Sequence, residues 1–153
     1  MQALYRLLTV SFDLYLLRLP KGSTADAAME FIAELESGVR VSSRKPDRHE
    51  IVKLLLGMDS RYELFQKDYA EIAKFEGISA QEARDRDDSV ELNGEADGKP
   101  LTQFIIYDDR IVVHWYSGTN DPEMIRLLEA LCQETGYTVV DPQSGTLMDL
   151  SEE

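Results

Sequence analysis

The chain offers two imidazoles, His49 and His114, and one thiol, Cys132, for chemistry near neutral pH. Histidine is the side chain whose charge changes most readily there. The two histidines do not share metal-binding spacing, and a single cysteine cannot supply a paired thiolate set, so no zinc motif is present. A catalytic thiolate needs an exposed, electropositive setting. Cys132 instead follows Leu128 by about one helical turn on an apolar stripe, in an acidic chain, which predicts a buried core cysteine. His49 falls in the first turn of a helix and His114 on a strand, and each is expected as a structural or surface residue. An enzyme would need a pocket between helices and sheet in which His114, Tyr107 or Asp13 carries protons.

Carboxylates are more abundant. Asp85, Asp87 and Asp88 form one cluster, and Asp108 and Asp109 form another. A calcium loop needs glycine at its sixth position and glutamate at its twelfth. Counted from Asp85 these positions hold Val90 and Ala96; counted from Asp87 they hold Leu92 and Gly98. Both frames fail, and a solvated helix end explains the first cluster better than a metal site. Asp108 and Asp109 suit a hairpin turn, where aspartate tolerates positive φ, better than an acid–base pair. The chain has no glycine-rich phosphate loop and no Gly-x-Ser-x-Gly elbow. Neither a cofactor nor a metal is expected, and binding is expected ahead of catalysis.

The hydropathy pattern marks the elements that must position these residues. From Val10 to Arg18, Phe12, Leu14 and Leu16 alternate with Ser11, Asp13 and Tyr15, a strand pattern ended by Pro20 and Gly22. Ser23 or Thr24 caps a helix carrying Ala28, Phe31, Ile32 and Leu35, which Gly38 closes. Residues 39–46 form a loop. Asp47 and Glu50 have capping-box spacing ahead of Ile51, Val52, Leu54, Leu55 and Met58. Asp59 and Ser60 are candidate caps for a further helix with Tyr62, Phe65, Tyr69, Ile72 and Ala73 as its stripe. Ser79 and Glu82 open a short helix. Ser89 to Leu92 is a candidate strand, and Asn93 to Pro100 is turn material.

The clearest element is a hairpin. Leu101 to Tyr107 and Arg110 to Tyr116 flank Asp108-Asp109, placing Ile106 opposite Ile111 and Phe104 opposite Val113, with Trp115 on the same dry face. Pro122 then opens a helix lined by Met124, Leu127, Leu128, Leu131 and Cys132. Gly136 stops it before a strand at Tyr137 to Val140, and Leu147, Met148 and Leu150 extend the chain. Helices and strands that do not alternate strictly predict an α+β fold. The expected architecture is an antiparallel sheet of four to five strands with a central hairpin, packed against three to five helices on one face.

The 153 residues, 43% of them hydrophobic, suit a single domain over 1–153 with one core. The net charge of −13, from 29 acids and 16 bases, opposes nucleic-acid or anionic-membrane binding, both of which need cations. It keeps the chain soluble and permits a basic protein partner. No apolar run reaches the ~18 residues of a membrane span. The apolar stretch 1–19 is broken by Arg6, Asp13 and Arg18 and lacks a small-residue cleavage site. With a single cysteine, this makes a cytoplasmic location the expectation.

Three segments carry a resemblance: Val-Ser-Phe-Asp-Leu-Tyr from Val10 to Tyr15, Val-Val-His-Trp-Tyr from Val112 to Tyr116, and the stretch from Glu134 through Asp141-Pro142-Gln143 to Gly145. In these patches the chain resembles a loose group of small bacterial proteins of unknown function, some of them proposed immunity partners of toxins. The shared motifs are structural and transfer no catalytic residues. In those proteins the first strand lies almost at the start, which implies a native start at Val10, with 1–9 an extension. From its negative charge and lack of a catalytic constellation the chain is expected to be a binding protein, in its specific version an inhibitor of a basic toxin whose lysines or arginines would meet Asp85, Asp87, Asp88, Asp108 and Asp109. The alternatives are an unfamiliar enzyme, or a homo-oligomeric module with Phe104, Trp115 and Tyr116 at its interface.

Overall fold

The computed structural model describes residues 12–19, 22–37, 47–115, 122–142 and 145–148. The proposed start at Val10, the loop at 39–46, Tyr116 and the side chain of Trp115 lie outside the described residues. In chain order the elements are β1 (Phe12–Leu17), α1 (Ala25–Ser37), α2 (Arg48–Met58), β2 (Tyr62–Leu64), α3 (Tyr69–Glu76) and α4 (Ala80–Arg86). They continue with β3 (Ser89–Ala96), β4 (Lys99–Tyr107), β5 (Arg110–Trp115), α5 (Pro122–Thr135), β6 (Thr138–Asp141) and β7 (Thr146–Met148).

Capping chemistry starts the helices, at Asp47 and Ser79 as their spacing predicts, whereas Asp59 and Ser60 cap no helix start: Asp59 closes α2, its N–H returning to the Leu55 carbonyl, and α3 is capped by Asp68. The carboxylates of Asp47 and Asp68 and the hydroxyl of Ser79 accept from the backbone N–H of Glu50, Glu71 and Glu82, each three residues on. Thr24 Oγ1 accepts from Ala27 N–H at the start of α1. Such caps satisfy orphan N–H groups and contribute about 1 kcal/mol each. At the far end of α3, Gly77 takes a left-handed conformation (φ +73°), and Ile78 N–H returns to the Ala73 carbonyl.

The strands form one antiparallel sheet in the order β2-β3-β4-β5-β1-β6-β7. The β4–β5 hairpin has the expected register, with Ile106 opposite Ile111 and Phe104 opposite Val113. The fold is α+β, but the sheet is wider than four to five strands. The added strands are β2, which the sequence reads as part of a helix, and β7, where Leu147 and Met148 are expected only to extend the chain. Tyr62 begins a strand rather than a helix, because its ring is buried edge-to-face against Phe104 at 5.1 Å. The residue across from it is Gly94, where a Cβ would lie 2.6 Å from the ring. Residues 93–96 also belong to β3, and the turn is confined to Asp97 and Gly98, both at positive φ. This is the Asp-Gly hairpin signal.

The helices also do not share one face. Leu14, Leu16, Phe104, Ile111, Val113 and Val139 pack with Ile51 and Leu55 of α2 and with Met124, Leu128 and Leu131 of α5. Leu17 and Val140 pack instead with Ala28, Phe31, Ile32 and Leu35 of α1. Side chains alternate along a strand, so α1 covers the opposite face of the sheet. Tyr15 and Leu17 make the second side of β1 apolar too, the pattern of a strand covered on both faces. Phe104 lies fully inside the core, away from any surface interface.

Candidate functional site

The register of β3 and β4 brings the two acidic clusters together. Ser89 lies opposite Tyr107, so the start of β3 and the end of β4 share one end of the sheet. Asp85, Asp87 and Asp88 lead into β3, and Asp108 and Asp109 follow β4. Arg48, at the first position of α2, links them. Its backbone N–H donates to Asp108 Oδ1 (3.0 Å), and its guanidinium donates to Asp108 Oδ2 (3.2 Å) and to the Asp88 carbonyl (3.4 Å). Asp109 pairs with Arg110 at 2.8 Å, whose guanidinium lies 3.8 Å above the Tyr107 ring. Asp85 accepts from Gln81 Nε2 (3.0 Å). Asp85 and Asp88 are exposed. Neither Asp108 nor Asp109 has positive φ; these two are held by cations rather than by turn strain.

Asp87 has a different setting. Lys67 Nζ donates to its Oδ1 at 2.5 Å and to the Ser89 carbonyl at 2.7 Å, while the Tyr69 hydroxyl donates to Oδ2 at 2.5 Å. Lys67 and Asp87 keep only 14% and 19% of their side-chain surface exposed. Burial opposes ionisation of Asp87, but the bonds from Lys67 and Tyr69 outweigh it and hold the carboxyl below the usual carboxylate range. The same bond raises the Tyr69 hydroxyl above its ordinary value, with burial adding to it. This knot ties the segment before α3 to the start of β3.

Beside the knot lies an open cleft of about 610 Å³ between α3, α4 and the edge of the sheet. Its apolar lining is Phe65, Ile72, Phe75 and Ala83. Phe75 is 92% exposed, Phe65 47%, and the adjoining Leu64 44%. Its carboxylates are Asp68, Glu71, Glu76, Asp87, Asp88 and Glu91, against two cations, Lys67 and Arg86. Both cations are paired, Lys67 with Asp87 and Arg86 with Glu82. Sequence reasoning placed Phe65 on a buried helical stripe and did not single out Phe75. The signal for Phe75 was its place off the Tyr69, Ile72, Ala73 stripe of an amphipathic helix.

Asp13 and His114 lie directly opposite each other on β1 and β5, and His114 Nδ1 meets Asp13 Oδ1. Tyr107 does not join them. Gln103 stands across from His114, and Tyr107 is four residues further along β4, roughly 13 Å at strand rise. Cys132 is only partly buried, packed against the margin of the core rather than inside it, and burial pushes its thiol up to about 12. Among the described residues no group of three or more potential ligands could hold a metal ion. No helix among them is long and apolar enough to cross a membrane. No protein-family model, curated protein or solved structure matches the chain.

Proposed function

We propose that the protein is an acidic protein-binding module whose partner is a basic protein, and that neutralising a toxin, as immunity-type proteins do, is its specific role. The observation that carries this reading is the meeting of Asp87 and Asp88 with Asp108 and Asp109 at one sheet end, with Asp85 exposed on the helix that leads into it, in a chain of net charge −13. A surface of one sign steers an oppositely charged partner and raises its association rate. Asp85 and Asp88 supply the exposed charge, Asp108 and Asp109 supply charge shared with Arg48 and Arg110, and Asp87 is a structural member.

The test is affinity capture from source cells at low and moderate salt, followed by association kinetics with the captured protein. A stoichiometric basic partner is expected. The double variant Asp85→Ser, Asp88→Ser should slow its association about tenfold at low salt and flatten the salt dependence. An unchanged on-rate, or an acidic partner, would overturn the reading.

A second reading, proton-transfer catalysis, is favoured by the Asp13–His114 contact, since a carboxylate fixes the orientation of an imidazole. It predicts turnover in a hydrolase and transferase substrate panel that His114→Asn abolishes. A panel without turnover removes it.

A further inference from the structure

We infer that the cleft between α3 and α4 docks a cationic amphipathic segment of the partner, with an apolar side chain seated among Phe65, Ile72 and Phe75. The inference rests on the basic-partner reading and adds where the partner is held and by what. A phenylalanine 92% exposed on a capped helix leaves apolar surface in water, and contiguous apolar surface rimmed by polar groups marks an interaction site. The rim decides the occupant. Six carboxylates line the cleft, and its two cations already have partners. A second copy of this chain would bring like charge to like charge, a costly juxtaposition. A lysine- or arginine-bearing segment would meet Asp68, Glu71, Glu76, Asp88 and Glu91 while burying its apolar face.

Strand addition is the poorer fit for this edge. β2 is only three residues long and carries Glu63, the devices by which sheets discourage edge pairing. The groove floor is also tied down at both ends. The Lys67–Asp87–Tyr69 knot and the Gly77 closure of α3 fix both ends of the helix that presents Phe75. Pre-organised apolar anchors of this kind dominate binding energy.

The test uses the full chain labelled with ¹⁵N and two lysine–leucine peptides of equal composition. One carries a single tryptophan on a helical apolar face; the other is scrambled so that it has no apolar face. The amphipathic peptide should shift the amide signals of residues 64–91, and Phe75→Ser should weaken it about tenfold with the remaining spectrum unchanged. Equal, salt-sensitive binding of both peptides that ignores Phe75→Ser would overturn the inference and leave the acidic reading standing. Binding of neither peptide would overturn both. Self-association of the wild type, abolished by Phe75→Ser, would give the cleft to a second copy and overturn the inference alone.

Discussion

Gly94 is the residue on which the edge of the sheet turns. It stands opposite Tyr62, whose ring occupies the space a side chain would need. Tyr62 is buried against Phe104 and cannot swing away cheaply. Gly94→Ala should therefore destabilise the protein by about 2 kcal/mol through overpacking, read as a lower urea midpoint. Tyr62→Val should cost less in that background than alone, because the two positions are coupled. This pair also shows a limit of the sequence. Tyr62 at helical spacing from Phe65 and Tyr69 looks like part of a stripe, and its partner lies 32 positions away by sequence number. Asp13 and His114 were legible as proton carriers for the same reason that their contact was not: residue type is local, whereas pairing is set by strand order.

At the scale of elements, the α3–α4 pair depends on its electrostatic bolt. The Asp87 carboxyl ionises more readily when folded than the ordinary aspartate value of about 3.9. Its stabilisation is thus complete at neutral pH and lost as pH falls through the folded value. Asp87→Asn should cost about 2 kcal/mol at pH 7, where Lys67 is left without its anion. The difference between wild type and variant should shrink below about pH 4. Urea unfolding at both pH values checks this; equal costs at both would refute the bolt. Elements with chemical start signals were the most legible. Asp47 with Glu50 and Ser79 with Glu82 cap as their spacing predicts, and Asp68 with Glu71 has the same spacing unnoticed. The four apolar residues assigned to α1 are its buried set. β2 was missed because three residues are too few to show a period.

For the whole molecule, the sequence implied the α+β class and the central hairpin, but not a sheet buried on both sides. That required reading Leu17 along with Leu14 and Leu16 and accepting that β1 has no polar face over its last residues. Net charge was legible at once, whereas the meeting of Asp87 and Asp88 with Asp108 and Asp109 needed the β3–β4 register. Strand order has a further consequence, in biosynthesis. β1 sits between β5 and β6, and Asp13 waits for a partner 101 positions downstream. At ~5–20 residues per second, a ribosome needs about 5–20 s to deliver it. During that interval Leu14, Leu16 and Leu17 belong to a strand with no sheet to join. The burden of keeping that segment soluble falls on whatever attends the nascent chain.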